Sequence, residues 1–267
     1  MLRAKYLKMN ELNAIMMIAY RDLMRFLNDR SRLLITFIFP VIFIGVLGGS
    51  LQRNLGQNIG FNFMTFVFTG VLGQTLFQST ASGIISLIED RENNFTQEIF
   101  ISPISRYSIM IGKILGESLV SFAQLIGIVL FALVVGVQFT LLQILIMIPV
   151  GLIVCFFGGA FGILVLANLS GQRAANQIFP IIIFPQYFLA GVFNPIKDLP
   201  PILLFFSRIS PMTYALDFVR SIFYLGSPEY DKVVIFNPFI DFTVIGSMFI
   251  VFMILGTFLF IRNERNR

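Results

Sequence analysis

Six long runs of almost uninterrupted apolar residues dominate the chain, at 33–51, 61–88, 114–135, 142–167, 177–193 and 242–261. A helix rises ~1.5 Å per residue, so roughly 20 apolar residues carry it across a hydrocarbon core of ~30 Å. The runs therefore predict an all-α membrane protein with six transmembrane helices. Composition says the same: 57% of the 267 residues belong to the set AVILMFWYC and only 12% are charged. Soluble domains hold about 45–50% apolar and about 25% charged residues. With a mean hydropathy of +0.85, a soluble fold of this size could not hide its apolar surface. Histidine and tryptophan are absent and Cys155 is the single cysteine. Zinc sites, histidine-based catalysis and intrachain disulfides are thereby set aside.

Basic residues give the orientation. Fourteen of the 19 lysines and arginines fall in the head, the 89–113 and 168–176 connections and the tail, against five on the other side. The positive-inside rule then predicts cytoplasmic termini and a multi-pass protein of the cell (inner or plasma) membrane. The net charge of +5 reflects this topology rather than nucleic-acid binding. The chain divides into a head, 1–32, and a transmembrane domain, 33–267. The head is too long and too charged for a cleavable signal peptide. Its apolar residues Leu12, Ile15, Met16, Ala19, Leu23, Phe26 and Leu27 recur at helical spacing, as in an amphipathic helix lying on the inner leaflet. The fifth run carries Pro180 and Pro185, which predicts a kink packed against protein rather than lipid.

Three further places depart from plain spans. The 89–107 connection begins with Glu89, Asp90, Arg91 and Glu92, turns apolar at Ile99 to Ile101 and breaks at Ser102–Pro103. Such a tethered helix can touch a soluble partner, or be a solvated loop. The outer connection 199–226 holds two apolar stretches too short to span, divided by Ser210 as N-cap and Pro211 at the first helical position; these predict a re-entrant hairpin. Asp217 and Arg220 lie three apart there, as an ion pair or a substrate contact. Lys113 and Glu117 lie four apart at the inner mouth of the third span, as an ion pair or a gate element. Gly158, Gly159 and Gly162 predict close helix packing. No phosphate-binding glycine loop and no hydrolytic constellation occurs, so the energy for any work comes from elsewhere.

The ordered set of these features resembles the membrane subunit of type-two ATP-binding-cassette exporters, in the branch of daunorubicin-resistance and Nod-factor permeases. The residues concerned are Arg21, Asp22, Arg25, Arg30, Arg32 and Pro40, then Asn94 to Ile99 with Ser102 to Arg106, Gly112 and Lys113. They continue with Phe184 to Phe193, Leu199–Pro200 and Ser210 to Arg220. The resemblance implies an interfacial N-terminal helix, a cytoplasmic coupling helix and two re-entrant outer helices before the last span. It implies two cytoplasmic ATPase subunits, which bind the ATP, and a second permease copy or paralogue. This chain would bind no cofactor or metal and would have no catalytic residue. Phe95 and Phe100 would anchor the ATPase, with Ile101 beside them and Arg91, Glu92 and Glu98 as the polar rim. The implied function is export of a drug-like or lipophilic compound, or of a lipid-linked polysaccharide or lipo-oligosaccharide. An ion-driven transporter would want ionisable residues at the span centres, and the runs contain none there.

Overall fold

The structure, a computed structural model, describes residues 2–55, 60–92, 105–166, 169 and 171–265, and all regular elements among them are helical. Helix α1 (Leu2–Asn28) is followed by α2 (Arg30–Val41), a π-helical segment (Ile42–Gly48) and α3 (Gly49–Leu55). The wide turns begin just past Pro40, whose ring cannot supply the N–H that a regular turn requires. Next come α4 (Phe63–Gly83), α5 (Ile85–Glu92), α6 (Arg106–Val134), α7 (Leu141–Leu166) and α8 (Gln172–Leu189). The short helices α9 (Pro201–Ile209) and α10 (Pro211–Phe223) meet at an angle of 85°. After α11 (Tyr230–Val233), α12 (Pro238–Arg265) closes the chain.

By length and composition four helical stretches can cross a membrane: Phe63–Asp90, Tyr107–Val134, Leu141–Leu166 and Pro238–Asn263. They match the second, third, fourth and sixth expected spans. The region of the first is helical, but its apolar helix, Leu33–Val46, is short. The fifth begins earlier than expected, at Gln172, and stays helical through both prolines.

Helix α4 is the axis of the bundle: its apolar side is buried, and a half-exposed stripe of Thr75, Gln78, Ser79 and Ser82 keeps one face polar. Phe63, Phe66, Val67, Phe68, Val71, Leu72, Leu76 and Phe77 are all buried. Helices α6, α7 and α10 pack around it. The expected glycine stripe on α7 sets the closest approach. A Cβ at Gly158 would lie 2.2 Å from the Phe77 carbonyl oxygen, and one at Gly162 2.4 Å from that of Ala81. Both helices advance four residues between these contacts, so they run parallel with their backbones touching. Polar groups complete the ends. Gln52 Oε1 accepts from the N–H groups of Phe63 (2.7 Å) and Met64 (3.3 Å), and Asn62 caps Thr65. At α7, Thr140 and Gln143 cap each other reciprocally, a capping box.

Helix α1 lies side by side with the start of α6. Glu11 reaches Ser108, Ile15 faces Gly112 and Ala19 faces Gly116, again a parallel register in steps of four. The expected apolar stripe of the head is therefore divided. Ala19 and Phe26 are buried in the bundle, whereas Leu12, Met16 and Leu27 remain exposed.

Candidate functional site

Where α1, α5 and α6 converge, four charged side chains meet, with Asp22, Asp90 and Lys113 buried and Arg21 half-buried. Lys113 is 1% exposed and its Nζ lies 2.9 Å from Asp22 Oδ2 and 3.1 Å from Asp90 Oδ2. Arg21 reaches the same Asp90 oxygen at 2.6 Å and Asp22 Oδ1 at 3.0 Å. Two cations thus meet two carboxylates, and charge balance is what makes such burial tolerable. Burial works against the charge on Arg21, but Asp22 and Asp90 outweigh it and hold the guanidinium above its ordinary pKa. Beside this cluster Arg25 pairs with Glu89, and Asp22, Arg25, Asp29, Ser86, Glu89 and Glu117 line a small polar cavity.

Local packing explains the convergence. Gly112 and Gly116 let α1 approach α6, with Asp22 Cβ 3.0 Å from where a Cβ on Gly116 would stand. Lys113, one turn ahead of Glu117, points into the cluster instead of toward solvent. Glu117 lies against Gly83 and takes a long contact of 3.4 Å from Ser86 Oγ. The two residues read from the sequence as one pair thus belong to a larger assembly, to which α1 contributes Arg21 and Asp22 and the end of the second span contributes Asp90.

The expected coupling residues divide in two. Arg91 and Glu92 lie in α5; Glu92 Oε1 accepts from the Gln172 N–H at 2.9 Å, a carboxylate at the N-terminus of α8 where the helix dipole favours it. Phe95, Glu98, Phe100 and Ile101 lie outside the described residues. The cluster brackets that segment, with Glu89 and Asp90 just before it and Ser108 and Lys113 just after it.

At the opposite end of the bundle, Asp217 and Arg220 are each 1% exposed and each has its own partners. Asp217 accepts from the N–H groups of Ile235 (2.9 Å) and Phe236 (2.7 Å), holding the approach to α12. Arg220 lies 3.8 Å from the Phe66 ring centroid and donates to the Gly191 carbonyl at 2.8 Å. Gly70 makes room for both, since a Cβ there would lie 2.3 Å from Val192 O and 2.8 Å from Arg220 Nη2. Ser210, expected to cap α10, makes no side-chain cap bond. Its hydroxyl donates instead to Gln186 Oε1 at 3.1 Å, and that oxygen faces the Met212 N–H at 3.4 Å. Gln186 of α8 therefore serves the start of α10, a contact that no local pattern announces.

An all-helical bundle of apolar spans with a charge-clamped head helix defines the class: an integral membrane protein whose polar machinery sits at the helix ends. The sequence profile described as ABC-2 type transporter matches residues 13–224. The chain belongs to the ABC-2 type transporter family. It is similar to two proteins named "Putative transport permease ycf38". The one from Cyanophora paradoxa is 26% identical over 188 residues, which cover 69% of this chain and 65% of that protein. The one from Porphyra purpurea is 26% identical over 202 residues, 72% of this chain and 68% of the relative. The chain thus spans about two thirds of the length of these relatives.

Proposed function

We propose that the chain is the membrane-spanning permease subunit of an ATP-binding-cassette exporter, working with two separate ATPase subunits and a second permease copy or paralogue. The family match over residues 13–224 carries the reading. The charge cluster supports it, because it joins both flanks of segment 93–104 to α1 and the second and third spans. A push on that segment from an ATPase would reach three helices through one set of ion pairs. In this reading α2 and α8 complete a six-span bundle, with α9 and α10 as the re-entrant pair. The exposed residues Leu34, Ile35 and Ile38 of α2 and Ile181, Phe184 and Phe188 of α8 offer an apolar seam to the second permease. Cargo would move along that seam, and its apolar lining favours a drug-like or lipophilic compound over a bare sugar chain.

The test is purification of the tagged protein with its companions, followed by ATP hydrolysis in liposomes. An ATPase should co-purify, and Phe95→Ala with Phe100→Ala should lower transport-stimulated hydrolysis at least ~10-fold, as loss of interface anchors does. Membrane insertion should be unchanged. Wild-type stimulation in the double variant would overturn the coupling assignment, and absence of any ATPase would overturn the class.

A further inference from the structure

A cavity of about 590 Å³ opens on the flank of the bundle between α6 and α7. Its floor is Phe68 and Leu72 of α4, both buried. Its rims are Leu119, Ile126 and Leu130 of α6 and Ile144 and Ile148 of α7, all exposed. Leu23 and Leu27 of α1 wall it at one end, and Phe139 and Phe223 at the other. The stretch of α6 that it follows, Leu119 to Leu130, rises about 17 Å. Among the described residues Gln143 is the only polar side chain lining it, and that amide is already engaged. Its Oε1 accepts from the Thr140 N–H at 2.7 Å and the Thr140 hydroxyl at 3.1 Å, and its Nε2 donates to the Phe223 carbonyl at 2.9 Å.

Position, lining and size select the occupant. Helices α6 and α7 are long and apolar enough to cross a membrane, so the cavity opens into hydrocarbon rather than water. A pocket for a drug-like molecule sets a few oriented polar groups among apolar walls, and here the one amide is spent on α7 and Phe223. A helix of a second copy, ~10 Å across, would displace about 1,300 Å³ over the same length, more than twice the space present. A single hydrocarbon chain is far thinner, and one leaflet gives it a length of about 15 Å, half the hydrocarbon core. We infer that this cavity is a lipid site, holding an acyl chain of a membrane lipid against α1, α4, α6, α7 and α10. Walls and a packed floor surround the chain on several sides, which gives it more close contacts than the fluid bilayer does. Leu23 follows Asp22 of the charge cluster, so the seated chain touches the head helix beside the residues that clamp it. None of the exposed residues assigned to the α2–α8 seam lines the cavity, which keeps the lipid apart from the cargo route. The site rests on the spans lying in a bilayer and not on transport, so its failure would leave the permease reading untouched.

The chain contains no tryptophan, so a single introduced one reports on its own surroundings. Phe122→Trp places it in the cavity, and Ile250→Trp, on an exposed face of α12, reports ordinary bilayer contact. Each full chain is reconstituted in vesicles of dioleoyl phosphatidylcholine brominated at its double bonds, whose bromines quench tryptophan on contact. It is then moved into detergent and washed. Both reporters should be quenched in the vesicles. After the wash Ile250→Trp should recover fully, whereas Phe122→Trp should stay at least ~2-fold dimmer than the same protein taken from unbrominated vesicles, because a held lipid leaves slowly. Adding Ala123→Phe, whose ring enters the cavity, should restore the emission. Native mass spectrometry of the unaltered chain gives a second measurement: a brominated lipid should survive the wash and be lost in Ala123→Phe. If Phe122→Trp does not fold, Phe139→Trp at the far end of the cavity and the spectrum of the unaltered chain decide the matter. Recovery of the cavity reporter as complete as that of Ile250→Trp would overturn the proposal, since the contact would be that of bulk lipid. Absence of quenching in the vesicles would also overturn it, because protein would then cover the cavity. So would a retained adduct that is not a lipid, which would make the cavity a pocket for cargo.

Discussion

Lys113 and Arg220 are each 1% exposed, and they solve the burial of a positive charge in different ways. Lys113 is a compact ammonium and takes two carboxylates. Arg220 is a planar fork, suited to carbonyl oxygens and a ring face. Removing one partner of a buried ion cluster leaves the others uncompensated, at a cost of about 3–5 kcal/mol. Lys113→Met should therefore lower the thermal midpoint in detergent sharply, and adding Asp90→Asn should recover part of the loss, because Asp22 still has Arg21. A double variant no more stable than the single would show that the cluster is not balanced as described. The sequence singles out Lys113 and Arg220 for their unusual position in apolar runs. Their partners are not legible there, since the Asp90 contact is 23 residues away in sequence and the Gly191 carbonyl 29. Ser210 shows the reverse case: a residue with a strong local role gives its hydroxyl to Gln186 once the tertiary fold brings that side chain close.

Helices follow the hydrophobic pattern closely, and their packing follows the glycines. The α4–α7 seam depends on Gly158 and Gly162, where added side-chain atoms would strike backbone oxygens. Gly158→Ala should destabilise by about 1–3 kcal/mol through overpacking. Gly246→Ala on α12, with nothing within 4 Å of the added carbon, should be neutral or gain up to ~1 kcal/mol in helix propensity. Equal effects in thermal melts of the two variants would contradict this seam. The glycine stripe was visible in the sequence as a spacing, yet spacing alone did not choose α4 as its partner. Helix α1 teaches the same point, since an apolar stripe legible by period is shared between the groove of α6 and an exposed face. Periodicity marks which residues avoid water but not which neighbour covers them.

At the scale of the whole molecule, topology is the property with the widest consequences. The distribution of basic residues predicts that segment 93–104 and the turn at 135–140 lie on opposite sides of the membrane. Ser102→Cys and Gly136→Cys, placed singly in a Cys155→Ser background, should react with a membrane-impermeant thiol reagent from opposite faces. Gly136 is exposed and Cys155 is buried, so labelling of the native thiol would not obscure the result. Reaction of Ser102→Cys from outside intact cells, with Gly136→Cys protected, would reverse the topology and remove segment 93–104 from the reach of any cytoplasmic ATPase. The sequence by itself determined the solvent, the helical class and the approximate places of four spans, because the cost of unpaired backbone in hydrocarbon leaves few choices for long apolar runs. Only the tertiary structure decided how the buried charges are grouped: Lys113 with Asp22 and Asp90, Asp217 with the N–H groups of Ile235 and Phe236, Arg220 with a ring and carbonyls. Desolvation makes each of these groups seek a partner, but distance in space, fixed by helix packing, selects which one it finds.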